Sequence, residues 1–225
     1  MPSSELTIHT RFNVPFGPQY RQCLEADWIE ARLRLWLRWQ LPALQRQTMA
    51  DWRQRLYCSD STPEGARKLL AEATGHDDRV DIVYAKGIFG DGHAEPDHLG
   101  FRLDSDDIIR PDALDRVVCE LQENDWMQFK LGYAWFSPER ELRVWRHPSP
   151  PFYGFRYHRG LKTEQFNHTR VAGVAKAVAD EAYFMQHIHD WNNTTNEDHP
   201  SVRERVPDDD AAEVFETFGM QWPKD

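Results

Sequence analysis

L-G-F-R-L-D-S-D-D, from Leu99 to Asp107, runs from an apolar strand straight into three closely spaced carboxylates. Leu99 to Leu103 has strand composition, and Pro111 opens a helix predicted over Asp112 to Gln122. In an open α/β sheet, ligands bind outside the carboxyl ends of the strands. Asp104 and Asp106 stand at positions one and three of that turn, so both can face one hard cation. Mg²⁺ or Mn²⁺ prefers oxygen ligands and leaves places for water and phosphate. Such an ion neutralises a diphosphate as a Lewis acid. The same aspartates could instead cap the following helix. A calcium loop does not fit: counted from Asp104, position six is Ile109 where glycine is needed, and position twelve is Asp115 where a bidentate glutamate is needed.

Working outward, Leu6 to Val14 reads as a first strand. Trp28, Ile29, Leu33, Trp36, Leu37 and Leu44 recur at helical spacing, with Asp27 as N-cap and with Pro42 kinking or restarting the helix. Trp52 to Cys58 reads as a strand. Thr62 and Pro63 then serve as N-cap and first residue of a helix ending at Thr74–Gly75, and Val80 to Ala85 forms a third strand. Lys86 to His98 is a Gly-, Asp- and His-rich loop. Trp126 to Phe136 and Glu141 to Trp145, joined by S-P-E-R, read as an antiparallel hairpin. His168 to His189 reads as largely helical, and a short helix is predicted near Ala211 to Phe218. Strands alternating with helices predict an α/β fold: a single-domain, mostly parallel mixed sheet flanked by helices, with the hairpin in the second half. The expected domain is 1–197, with a ligand-binding half at 1–125, a second half at 126–197, and an acidic, polar C-terminal tail at 198–225.

Composition bounds the partners. A formal net charge of −10 argues against binding to a nucleic-acid polymer or an anionic membrane. Three cysteines cannot all pair and have no zinc spacing. The N-terminus lacks the basic and apolar regions of a signal peptide, and no apolar run reaches membrane-spanning length. A cytoplasmic location is the expectation. Nine tryptophans exceed ordinary usage; indole faces pack against sugar rings and nucleobases as well as against core.

Other residues are predicted to share the sheet edge with Asp104. Thr10, Arg11 and Asn13 leave the first strand there, and Arg11 suits a bidentate phosphate contact. Asp60 ends the second strand and can accept hydrogen bonds from a nucleobase or ribose, or serve as a turn aspartate. Arg102 can face a ligand or pair with Asp104 or Asp106. His168, His187 and His189 form a late group. The two-residue spacing of the last pair lets at most one serve the site unless that segment is extended. Asp208 to Asp210 repeats the acidic pattern in the polar tail and is read as solvated, with no apolar face to pack.

T-R-F-N-V, W-I-E-x-R-x-x-L, L-P-x-L-x-x-Q-T, D-S-T-P, R-L-D-S-D-D, P-P-F-Y and Q-H-I-H-D-W-N, in that order from Thr10 to Asn192, resemble a bacterial rhamnosyltransferase family. That family belongs to the nucleotide-sugar glycosyltransferases of the GT-A fold. The resemblance implies a nucleotide-diphosphate-sugar donor, with a glycan as candidate acceptor, and a divalent metal. It suggests Asp104 near the ribose, Asp106 at the metal, and His189 as a late metal ligand or diphosphate contact. The chain departs from the pattern in the short 86–101 segment and in His187, which stands where an apolar residue is expected. The expected function is metal-dependent glycosyl transfer. The alternatives are a metal-dependent nucleotidyltransferase, for which T-R-F-N-V-P-F-G-P is a poor triphosphate loop, and a non-catalytic carbohydrate-binding protein. An inverting transferase needs a general base, for which Asp180, Glu181 and Glu164 are candidates.

Overall fold

The computed structural model describes residues 5–15, 18–86, 98–157, 168–189 and 202–223. The predicted loop falls mostly at 87–97, and Glu164 and Asn192 also lie outside the described residues.

Seven strands form one sheet: β1 (Leu6–Arg11), β2 (Trp52–Ser59), β3 (Val80–Ala85), β4 (Leu99–Arg102), β6 (Trp126–Phe129), β9 (Tyr153–Arg156) and β10 (Lys176–Val178), in the order β10-β6-β9-β4-β1-β2-β3. All pairings are parallel except those that β9 makes with β4 and β6. Every residue of β4 is buried, as expected for a central strand covered on both faces. Gly100 is needed on that strand: it lies opposite Phe155 of β9, and a Cβ there would stand 2.2 Å from the Phe155 ring.

A second, five-stranded sheet has the order β12-β8-β7-β11-β5, built from β5 (Ile108–Ile109), β7 (Leu131–Phe136), β8 (Glu141–Arg146), β11 (Phe184–Ile188) and β12 (Val202–Arg205). The predicted hairpin is β7–β8, paired from Leu131↔Arg146 to Phe136↔Glu141. Its first strand is shorter than expected. Trp126 to Phe136 is divided at Lys130, so β6 joins the large sheet and β7 the small one.

Helices cover both faces of the large sheet. On one, α1 (Ala26–Leu35) and α3 (Glu64–Thr74) bury Trp28, Ile29, Leu33 and Leu70 against Leu56 and Val80. On the other, Leu114, Val117 and Leu121 of α4 (Ala113–Glu123) pack on Leu6, Ile8 and Phe101. α1 starts before Trp28, and neither Asp27 nor any other side chain caps it. Thr62 does not cap α3 either; its hydroxyl donates to the Ser59 carbonyl at 2.7 Å. Pro42 does restart its helix. α1 passes into a π-helical turn, Trp36–Gln40, where the Leu41 N–H reaches back five residues to the Trp36 carbonyl, and α2 (Leu41–Gln45) follows.

Two expectations are corrected. His168 to His189 is not largely helical: after the single turn α5 (His168–Val171) it forms β10 and β11. Apolar residues covered by tertiary pairing carried a helical composition into strands. The C-terminal segment is also not a solvated tail. β12 pairs with β8, and α6 (Asp208–Thr217) buries Ala211 and Phe215, with Phe218 beyond its end, against Trp39 and Trp135. Asp208 to Asp210 is exposed, as expected, in the first turn of α6, where carboxylates favour the helix dipole. None of the helices is long and apolar enough to cross a membrane, among the described residues.

Phe215→Ala should therefore cost about 3–5 kcal/mol of unfolding free energy. Converting Asp208, Asp209 and Asp210 together to Asn should cost about 1 kcal/mol. Urea denaturation compares the two, and equal small effects would return the segment to a dispensable tail.

Candidate functional site

The carboxyl ends of β1, β2, β3 and β4 lie along one edge of the large sheet. Arg11, Asp60 and Arg102 stand at that edge, and Asp104 to Asp107 follow β4 directly. The short β5 then leads into the second sheet, placing its neighbour β11 beside the acidic turn.

Asp106 is the buried centre of this region, at 3% exposure. Its Oδ2 accepts a hydrogen bond from His189 Nε2 at 2.9 Å and also contacts Arg32 Nη1 of α1. Arg32 Nη1 lies 3.5 Å from the same His189 nitrogen, so two side chains converge on one Asp106 oxygen. Burial raises the Asp106 carboxyl, but the Arg32 charge and the His189 hydrogen bond outweigh it and hold Asp106 well below the usual carboxylate range.

Asp104 is partly exposed and pairs with Arg102 Nη2 at 3.2 and 3.3 Å. Burial acts to raise it, while Arg102 and then Arg11 draw it down, with a net lowering. Its backbone carbonyl accepts from Gln40 Nε2. Gln40 is tied in turn to Gln54, which bonds Thr10 Oγ1 at 2.9 Å and the Trp36 indole. The π-helical turn thus aims Gln40 at the acidic motif. Asp107 is fully buried. Its Oδ1 accepts the His187 N–H at 3.2 Å, and its Oδ2 has no hydrogen-bond partner among the described residues. Burial, then Asp106 and Asp104, push its carboxyl well above the usual range.

Because β11 is extended, His187 and His189 share a face, and their ring centroids lie 4.9 Å apart. His189 reaches Asp106. His187 instead stacks on Trp135 at 4.2 Å, and burial lowers its pKa to about 3, which keeps it neutral. His168 donates from Nδ1 to the Ser149 carbonyl at 2.6 Å and lies within electrostatic reach of Arg102 and Asp104.

The remaining predicted residues divide. Thr10 and Asn13 are fully buried and turned to internal bonds, Asn13 tying Thr62 Oγ1 at 3.0 Å and the Ser59 N–H at 3.2 Å. They shape the edge and present no group to a ligand. Arg11 is half-buried and Asp60 exposed, so both can face one. Asp180 and Glu181 are misplaced for a base beside Asp106. They precede β11, at the end away from His189, roughly 15 Å of extended chain distant. Each is ion-paired, Asp180 with Arg116 at 3.1 Å and Glu181 with Arg110 at 2.5 Å.

Asp104, Asp106 and His189 have the donor chemistry of a Mn²⁺ or Mg²⁺ site, but their arrangement does not fit one. Each carboxylate faces a guanidinium, and no group of three or more His, Cys, Asp or Glu is arranged to hold a metal ion among the described residues. Sequence reasoning missed Arg32 and Gln40. The legible signal was Arg32 itself, spaced four residues from both Trp28 and Trp36 on the apolar stripe of α1.

No protein-family model matches the chain, and no curated protein does. Among solved structures it is similar to S. aureus TarS 1-349 in complex with UDP-GlcNAc, with TM-score 0.50 and 13% identity over 82% of this chain and 59% of that one. The UDP complex of the same protein gives TM-score 0.49 at 12% identity, covering 82% and 60%. The likeness is one of fold: a mostly parallel mixed sheet flanked by helices, GT-A-like. The chain spans about three fifths of the length of these structures.

Asp106→Asn should cost about 3–5 kcal/mol, because it leaves Arg32 buried without its counter-charge. The double variant with Arg32→Met should recover most of that loss in urea titrations. If the single variant costs under about 1 kcal/mol, the pair is not the buried contact described here.

A second prediction concerns pH. A carboxyl raised in the folded state contributes stability that is present below its unfolded pKa, near 4, and is lost as pH rises through the folded value. Asp107→Asn removes that loss, so its stability relative to wild type should climb from about pH 4 upward. A pH-independent difference would show that folding does not raise the Asp107 carboxyl.

Proposed function

We propose that the chain transfers a glycosyl group from a nucleotide-diphosphate-sugar donor bound at the carboxyl edge of β1, β2 and β4. The supporting observation is the coincidence, at one sheet edge, of the acidic turn after β4 with Arg11, Asp60 and Arg102, in a fold shared with a protein solved with UDP-GlcNAc. In this reading Asp60 meets the nucleobase or ribose. Arg11 and Arg102 hold the diphosphate through charge-assisted hydrogen bonds. Arg102 can exchange Asp104 for phosphate, since that pair is long and partly exposed.

The Arg32–Asp106–His189 cluster forms the base of the site. A glycosyl transfer leaves negative charge on the departing diphosphate and a proton on the acceptor hydroxyl. Arginines answer the first need by electrostatic stabilisation. An imidazole fixed by a carboxylate, as His189 is by Asp106, suits the second. Arg32 and Arg102 already face the two carboxylates, and the reading contains no step that requires a metal. The sugar and the rhamnosyl specificity suggested by the family resemblance belong to the same proposal and await the donor's identification.

Calorimetric titration with UDP and UDP-GlcNAc, with and without Mn²⁺, tests this reading. Saturable binding is expected without metal, weakened about tenfold or more by Arg102→Ala. Binding seen only with Mn²⁺ would restore the metal-centred reading of Asp104 and Asp106, and binding of neither nucleotide would sink the proposal.

A further inference from the structure

A cavity of about 260 Å³ opens at the turn end of the β7–β8 hairpin. Trp39, Trp135 and Trp222 line it together with Arg38, Arg140 and His187. Among the described residues no Asp or Glu lines it, although the whole chain carries a net charge of −10. Its volume falls below the roughly 300–1,000 Å³ of pockets that take drug-sized ligands, which suits a single sugar ring better than a whole nucleotide sugar.

Two independent features show that this wall is built. The Arg38 guanidinium lies 4.7 Å over the Trp39 ring, which orients its charge beside an aromatic surface. Arg140 holds a positive φ of 55°, at the last residue of the hairpin turn, where glycine or asparagine is the usual occupant. Retaining arginine in a costly conformation calls for a use of its side chain. That side chain donates to the Pro223 carbonyl at 2.8 Å, which brings the segment bearing Trp222 against the cavity.

We propose that this cavity binds an anionic saccharide, one pyranose ring against Trp222, the partly exposed tryptophan of the three, and its carboxylate or phosphate on Arg38 and Arg140. Indole faces pack on the C–H face of a pyranose, and guanidinium forks match the geometry of both anions. The cavity adjoins the acidic cluster: His187 lines it, with its ring 4.9 Å from that of His189, which bonds Asp106. As the acceptor side of the transfer, the inference rests on the proposed function; as a binding site, it stands without it.

The test is ¹⁵N-indole NMR of the whole chain, titrated separately with glucuronate, glucose 6-phosphate and glucose, with UDP affinity measured on the same sample. One or both anionic sugars should move the indole signals of Trp39, Trp135 and Trp222, and bind about tenfold tighter than glucose. Whichever anion binds more tightly identifies the charged group. Arg38→Glu should remove that preference while keeping the melting temperature. Anionic-sugar binding in a chain that fails to bind UDP would uphold the cavity and defeat the donor reading. UDP binding with no shift at the three indoles would do the opposite. Equal affinity for glucose, or an unchanged preference in Arg38→Glu, overturns the proposal.

Discussion

One buried carboxylate organises this molecule. Asp106 cannot sit at 3% exposure as an anion unless positive charge and hydrogen bonds meet it there. Arg32 and His189 do so, and they come from opposite ends of the chain: α1 on one face of the large sheet and the end of β11 in the small one. The contact ties three remote segments at a single atom. Buried ion pairs are not efficient stabilisers, since a well-packed apolar replacement often does as well or better. A charge kept in such a place is more readily explained by what it does for a site, which is why the cluster stands at the centre of the functional reading.

The surrounding polar network follows from the same constraint. A carboxylate-rich turn cannot be left to fluctuate beside a buried anion, and Gln40 fixes it by bonding the Asp104 carbonyl. Gln40 reaches that position because the helix passes through a π-helical turn immediately before Pro42. The wider turn also places Arg38 and Trp39 on the other side, at the cavity beside His187. One helical irregularity therefore serves both the sheet edge and the cavity wall. Asp107, one residue beyond Asp106, shifts in the opposite direction, because burial and then its two anionic neighbours Asp106 and Asp104 raise its carboxyl.

Much of the fold was legible from local rules. The strand–helix alternation from Leu6 to Gln122, the S-P-E-R hairpin turn and the restart at Pro42 each have a nearby cause in period, turn chemistry or missing N–H. The acidic turn could be placed at a strand's carboxyl end because strand and helix signals flank it. The misreadings arose where distant pairing decided the structure. Phe184–Ile188 is a strand because β7 and β5 lie beside it, and Lys130 divides two strands because two sheets compete for them. Asp180 and Glu181 drew notice by sequence proximity to His189, yet an extended strand carries them away from it. Arg32 was visible as a charge on an apolar stripe, but its partner stands 74 positions later in the sequence, and no periodicity links the two.

The most direct test of the central claim is a crystal structure of the chain with uridine diphosphate. The account predicts the diphosphate at the carboxyl edge of β1 and β4, within hydrogen-bond reach of Arg11 and Arg102, with Arg32, Asp106 and His189 still joined beneath it. A nucleotide bound away from that edge, or an Asp106 released from Arg32 when the nucleotide enters, would contradict it.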